Sequence, residues 1–213
     1  MTCLWCANDL PCACEKKPFD LERELAQTGF SRIAGVDEAG RGALAGPVVA
    51  AAVVLKPSAA ELIGRVTDSK KLSPAAREEL FDPIHAHSEA VAVGIVSAQE
   101  IDRVNILQAT LRAMKEAIEE ARPDLCLIDG NVRAPVAIRQ LTIVKGDLRV
   151  FSIAAASIVA KVTRDRMMDA LDASYPDYGF LRHKGYGTAD HIRAIRAFGA
   201  SAIHRKSFHL SLA

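Results

Sequence analysis

The stretch Val48–Leu55 is apolar without interruption and stops at Lys56-Pro57. Eight residues are far short of the ~20 that a membrane-spanning helix needs, and the run Ile153–Ala160 is as short. With four valines between Pro47 and Leu55, the segment reads as a buried strand. Two more strand-like segments flank it, Ser31–Glu38 before and Ala90–Ser97 after. A helix is expected between the second and third, with Ser73 as N-cap and Pro74 at its first position, and without a capping box because Ala76 stands at the third. The spacing of Ile106, Leu107, Leu111, Met114 and Ile118 predicts a helix over Asn105–Arg122, ended by Pro123. Short strands at Leu125–Ile128 and Leu141–Val144 follow. Ser152–Ala173 then reads as a long Ala-rich helix without Gly or Pro, 174–187 as a Gly- and Tyr-rich loop, and Thr188–Phe198 as a last helix. Near the start, Asp20 is expected to cap a helix over Asp20–Gln27. Strands interleaved with helices in this order describe an α/β protein, a mixed sheet covered by helices.

At 213 residues, half hydrophobic and a quarter charged, the chain suits one globular domain with a small appendage and is not a disordered protein. Residues 1–18 read as a Cys-rich extension and 19–213 as the folded domain. Cys3, Cys6, Cys12 and Cys14 either supply four thiolates to one zinc ion or belong to a leader outside the fold; their spacing lacks two separated C-x2-C knuckles. Cys126, in an apolar run, reads as a small buried hydrophobe. The N-terminus lacks the basic-then-apolar pattern of a secretory signal, so the expected location is the cytoplasm, with no membrane partner. No coiled-coil seam stands out, and a monomer is expected. Charge is unevenly spread: residues 1–130 carry 14 Lys and Arg against 20 Asp and Glu, and residues 131–213 carry 13 against 6. An excess of cations in one half is one mark of a nucleic-acid surface.

Three acidic sites share a context. Asp37-Glu38, Asp129 and Asp147 each stand at or just past the end of an apolar strand, each close to a glycine. Strand ends of an open α/β sheet border the crevices where ligands bind. Gathered on one edge, four carboxylates repel and raise some of one another's pKa values, and an all-oxygen donor set suits Mg2+ or Mn2+ rather than zinc. Taken singly, each Asp is equally well explained as a strand terminator. Neighbours in a strand point to opposite faces, so either the strand bends at Asp37-Glu38 or one of the two offers its main-chain carbonyl. The loop Gly40-Arg41-Gly42 adds a cation and two bare backbones, a cradle for a phosphate or hydroxyl. It is neither a G-x4-G-K-[ST] nor a G-x-G-x-x-G loop. Lys70 and Lys71 suit backbone phosphates, Tyr186 suits stacking on a sugar or base, and His204-Arg205-Lys206 reads as a solvated basic tail.

These segments resemble bacterial ribonuclease HII. The resemblance rests on 33–42 (IAGVDEAGRG), 44–49 (LAGPVV), 68–73 (DSKKLS), 128–131 (IDGN), 144–147 (VKGD), 152–165 (SIAAASIVAKVTRD), Tyr175-Pro176, 183–188 (HKGYGT) and His204-Arg205, in that order. It runs from about Asp20 to about Phe208. It implies a ribonuclease H-like fold, a five-stranded mixed sheet flanked by helices with a helical C-terminal extension. It implies an endonuclease that hydrolyses the RNA strand of RNA–DNA hybrids and incises 5′ of single ribonucleotides in duplex DNA, leaving 5′-phosphate and 3′-hydroxyl ends. Asp37, Glu38, Asp129 and Asp147 would be the catalytic metal ligands, for two ions of Mg2+ or Mn2+. Gly40, Arg41, Gly42 and Tyr186 would read the 2′-hydroxyl, and Lys70 and Lys71 would hold phosphates. The absence of a G-x-S-x-G elbow or a Cys–His signature agrees with a reaction that needs no side-chain nucleophile. Ala43, Ala200 and Ala202 stand where the family often has proline; none is a ligand position. The competing expectations are a non-catalytic nucleic-acid-binding module of the same fold and a junction nuclease or transposase-like enzyme. The sequence leaves open a replication-associated protein partner.

Overall fold

The computed structural model describes residues 19–208 except Asp68, so the cysteine cluster lies outside the described residues. Five strands form one sheet: β1 (Ile33–Ala39), β2 (Val48–Leu55), β3 (Ser88–Val96), β4 (Leu125–Asp129) and β5 (Arg139–Ile143), in the order β3-β2-β1-β4-β5. The first three pair antiparallel, β4 runs parallel to β1, and β5 runs parallel to β4. Seven helices are described: α1 (Asp20–Gln27), α2 (Pro74–Ala86), α3 (Ala98–Val104), α4 (Ile106–Ala121), α5 (Phe151–Asp172), α6 (Phe180–His183) and α7 (Ala189–Phe198). None among the described residues is long and apolar enough to cross a membrane.

The unbroken apolar run of β2 has a simple cause. Its alternate residues point to opposite faces, and both faces are covered. Val49, Ala51 and Val53 pack against α5 and α2, joining Ile158, Val159, Leu80 and Ile84. Val48, Ala50, Ala52 and Val54 pack on the other face against Ala113, Ala117 and Ile118 of α4. Small residues bring the layers close. A Cβ on Gly94 of β3 would stand 1.9 Å from the Ala113 carbonyl oxygen, so α4 rests on bare backbone there.

Helix ends follow the expected chemistry with one exception. The hydroxyl of Ser73 accepts from the Ala76 amide, and the Asn105 side chain from the Gln108 amide. Asp20 is not a cap. It is the first helical residue of α1, and Phe19 precedes it in a left-handed conformation without a side-chain cap bond. The acid still favours the helix start through the macrodipole. Helix α3, which lacks a long apolar period, was not expected. It is capped by Ser97, whose hydroxyl accepts from the Glu100 amide. The segment 174–187 is not all loop, since it holds a 3-10 turn at Pro176–Tyr178 and the single turn α6.

Two arginines shape the chain around residues 41–47. Arg164 of α5 is 0% exposed and Arg205 3%. Arg164 donates to the carbonyls of Pro47 (2.9 Å), Ala45 (3.0 Å) and Lys184 (2.9 Å). Arg205 donates to those of Gly46 (3.0 Å), Pro47 (3.1 Å) and Arg41 (2.9 Å). Neither forms an ion pair among the described residues. Main-chain dipoles therefore compensate two buried cations, and burial, with Arg164 beside it, pulls the pKa of Arg205 down to about 9. The expectation of a solvated tail at His204-Arg205 is thus corrected: both are buried, because the planar guanidinium fork collects carbonyls that would otherwise be orphaned. The basic half is also less of a free field than its count suggests. Lys161 pairs with Asp165, Arg166 with Glu78, Lys184 with Asp169 and Arg193 with Asp190.

Two outcomes are expected from this packing. Gly94→Ala should cost about 3 kcal/mol or more in urea denaturation, because strand and helix must separate to admit the methyl; a variant as stable as the parent would show that α4 does not press on β3. Arg164→Met keeps the bulk but orphans the carbonyls of Ala45 and Lys184 and takes one of two donors from that of Pro47, and should likewise lose about 3 kcal/mol or more, with Arg164→Lys in between. Equal stability of Met and parent would contradict the anchoring role.

Candidate active site

The parallel pairing of β1 and β4 builds the centre. Val36 stands opposite Ile128, so Asp37 and Asp129 follow side by side at the carboxyl ends of the two middle strands. Strand β4 also pairs with β5, with Asp129 opposite Ile143, and the turn after β5 holds Asp147 in a 3-10 turn at Gly146–Leu148 just before α5. Asp37 shares the face of β1 that α5 covers, and the hydroxyl of Ser157 on α5 is near enough to favour its ionised form. Glu38, the next residue, takes the opposite side.

The sheet settles how Asp37 and Glu38 are presented. The ladder to β2 continues without a break through Asp37–Ala51, Glu38–Ala50 and Ala39–Val49. The expected bend at Asp37-Glu38 is absent, because the chain turns only after Ala39. At Gly40, φ is +94°, and a Cβ would stand 2.0 Å from Nε of Arg164, so only glycine fits between this turn and the buried arginine.

Four carboxylates are therefore held at one sheet end with distinct neighbours. Asp37, 5% exposed, accepts from the Glu38 amide at 2.7 Å. Glu38 pairs with Arg41 at 3.1 Å, Asp129 accepts from the Gly146 amide at 2.7 Å, and Lys70 approaches Asp147 at 3.7 Å. Burial first, then the charges of Glu38 and Asp129, push the Asp37 carboxyl well above the ordinary carboxylate range; the Ser157 hydroxyl and the Glu38 amide offset part of this. Burial also raises Glu38, against the pull of Arg41.

This electrostatic state fits a cation. No side-chain cation is among the main influences on Asp37, which lies in low dielectric beside two more carboxylates. The donors are all oxygen, which suits a hard divalent ion. The side chains do not yet converge. Among the described residues no three His, Cys, Asp or Glu groups are gathered tightly enough to hold an ion, since Glu38, Asp129 and Asp147 are turned to Arg41, Gly146 and Lys70.

The other expected residues surround this centre. Gly42 has open space where a side chain would be. The Arg41 and Gly42 amides donate to no main-chain acceptor among the described residues, while the carbonyls of 41 and 45–47 are turned to the buried arginines. Tyr186 lies with its ring centre 5.2 Å from the Arg164 guanidinium and 5.3 Å from the Lys161 ammonium. Lys70 projects into solvent with its side chain 84% exposed, and Lys71 is exposed as well.

Sequence reasoning gave no role to Ser157, Ser69 or Arg77. Ser69 and Ser157 share a 2.9 Å hydrogen bond, and Arg77 donates to the carbonyls of Ser69 (2.7 Å) and Leu72 (2.6 Å), which ties the lysine loop to the wall of the centre. One signal was present: Ser157, Lys161 and Arg164 recur at helical spacing within α5, a polar stripe that begins inside its apolar half.

Known proteins share this arrangement. The family profile for ribonuclease HII matches residues 34–211. A ribonuclease HII of Geobacter sulfurreducens is 55% identical over 192 residues, covering 89% of this chain and 88% of the relative. That of Geotalea uraniireducens is 56% identical over 199 residues, covering 92% and 91%. Among solved structures, the ribonuclease HII of Archaeoglobus fulgidus, determined in complex with PCNA, superposes with a TM-score of 0.72 at 28% identity, covering 84% of this chain and 96% of that one. The ribonuclease H2 of Pyrococcus horikoshii gives 0.69 at 28% identity, with 84% and 94% covered. A ribonuclease HIII in complex with Mn2+ shares the fold at 23% identity and a TM-score of 0.58. The chain belongs to the ribonuclease HII family.

Proposed function

We propose that this ribonuclease H, besides cutting the RNA strand of RNA–DNA hybrids, incises duplex DNA directly 5′ of a single ribonucleotide. In this reading Asp37, Glu38, Asp129 and Asp147 bind two divalent ions, Mg2+ or Mn2+, in the reacting complex. The observation that carries it is the state of Asp37: buried, beside the charges of Glu38 and Asp129, and short of a compensating cation. When bound, the ions supply an activated attacking water and stabilise the leaving 3′-oxygen, which yields 5′-phosphate and 3′-hydroxyl ends.

The chain's own residues supply orientation and selectivity. Ser157 and the Glu38 amide hold the Asp37 carboxylate in place. Arg41 and Lys70 pair with Glu38 and Asp147 in the metal-free protein, and each would turn towards a phosphate once the carboxylates hold the ions. Lys71, on the same exposed loop, extends that phosphate contact. The outward amides of Arg41 and Gly42 suit the 2′-hydroxyl, the one group that distinguishes RNA from DNA at a single position. The Tyr186 ring, backed by Arg164, stacks on the sugar or base while its hydroxyl bonds the same 2′-hydroxyl. Residues 19–213 would be the catalytic domain, with 1–18 an extension. The PCNA complex of the Archaeoglobus relative supports a replication-associated partner.

The test is cleavage of an end-labelled DNA duplex with one ribonucleotide, beside the all-DNA duplex, with Mg2+, Mn2+ or EDTA. A metal-dependent cut 5′ of the ribonucleotide alone is expected. Cleavage of both duplexes would point to a different nuclease on this fold, and tight salt-sensitive binding without cleavage to a non-catalytic module. Asp37→Asn should abolish cleavage. It should also raise the stability of the metal-free protein at neutral pH by ~1 kcal/mol or more. The sign follows from the raised folded-state pKa of Asp37. The folded protein holds that proton more tightly than the unfolded chain, so stability is lost as pH rises from the unfolded value towards the folded one, and Asn removes the loss. Near-normal cleavage by Asp37→Asn would reject the ligand assignment.

A further inference from the structure

His183, His191 and His204 are buried together next to Tyr186, and none has a part in the chemistry above. The rings of His183 and His191 stack at 4.3 Å, and Phe180 meets His191 edge-on at 5.5 Å. The hydrogen bonds fix every tautomer. His191 Nδ1 lies 2.9 Å from the Tyr186 carbonyl oxygen, which can only accept, so Nδ1 carries the proton. His191 Nε2 is then a bare lone pair, and it accepts from His204 Nε2 at 3.0 Å. His204 Nδ1 accepts from the Ser201 amide at 2.9 Å, which leaves the His204 proton on Nε2, as the pairing requires. His183 donates from Nε2 to the Tyr178 carbonyl and accepts at Nδ1 from the Gly185 amide. The outcome is one directed chain: Ser201 amide to His204, His204 to His191, His191 to the Tyr186 carbonyl. Every ring lone pair of the trio is engaged, so the cluster offers no ligand to a metal.

The chain ends on the residue that most needs holding. The Tyr186 carbonyl receives His191 and the Thr188 amide (2.8 Å), and the Tyr186 amide donates to the His183 carbonyl (2.8 Å). Its main chain is pinned at both ends while its ring rests over Arg164, the same guanidinium that touches Gly40. We propose that His191 is a positioning residue for ribose recognition: with its tautomer set by His204, it holds the Tyr186 main chain so that the ring keeps its place against Arg164 and the Gly40–Gly42 turn. This rests on the reading of Tyr186 as a contact to the 2′-hydroxyl.

Two amide substitutions separate positioning from mere packing. His191→Asn puts an N–H donor where Nδ1 stands; His191→Gln puts its amide where Nε2 stands and gives up the bond to Tyr186. They are compared with Tyr186→Phe and with the His191→Gln/Tyr186→Phe double variant on a duplex with one ribonucleotide, below the lowest melting temperature of the set. His191→Gln should lose about five- to tenfold in kcat/KM, the worth of one hydrogen bond, and His191→Asn no more than about twofold. The double variant should fall no lower than Tyr186→Phe, because the two changes remove one function. Equal activity of the Asn and Gln variants, full activity of His191→Gln beside an impaired Tyr186→Phe, or losses that multiply in the double variant would each overturn the proposal alone. Full activity of Tyr186→Phe would overturn the reading of Tyr186 and this proposal together.

Discussion

The parallel pairing of β1 with β4 is the constraint on which the site depends. It places two carboxylates at adjacent strand ends; β1 itself adds Glu38, and the connection after β5 adds Asp147. The protein leaves this charge largely uncompensated at Asp37. Repulsion and desolvation stored there oppose folding and favour any divalent cation that enters. The rest of the molecule offsets that cost. Strand β2 packs apolar residues on both faces, and α4 and α5 clamp the sheet through alanine and glycine contacts that permit close approach.

A second centre of positive charge stands beside the acidic one. Arg164 and Arg205 are buried without carboxylate partners among the described residues, and they turn the carbonyls of residues 41 and 45–47 inward. The amides of Arg41 and Gly42 in the same stretch have no main-chain acceptor among the described residues. The same arrangement backs the Tyr186 ring with a guanidinium. In the proposed function, metal affinity and ribose recognition would come from two opposite departures from charge balance on either side of Gly40. Electrostatics of this kind act most strongly where the surroundings exclude water.

Most of the fold was legible because its signals are local. The uninterrupted run of β2, the Ser73-Pro74 start of α2, the period of α4 and the Ala-rich length of α5 each state their own structure. The positions of the acids at strand ends were legible for the same reason. What the sequence hid depends on tertiary partners. Nothing local says that Arg205 folds inward, because its acceptors lie some 160 residues earlier in the chain. Asp20 looked like a cap because its residue type suits one, yet Phe19 takes the cap position where the chain enters the core. Strand alternation left a bend at Asp37-Glu38 as one of two alternatives; the ladder to β2 runs through both residues, and the turn waits for Gly40. The histidine relay was invisible because it joins Tyr186, α7 and the segment before Phe208 through ring nitrogens whose protons only the packed structure fixes.

The central claim, that these carboxylates form a site completed by a divalent cation, is tested most directly by the melting temperature of the protein during titration with Mn2+. A ligand that binds only the folded state raises stability with its concentration. The account predicts a concentration-dependent rise for the parent protein and a much smaller one for Asp37→Asn, starting from a higher metal-free value. No rise in the parent, or the same rise in both proteins, would contradict it.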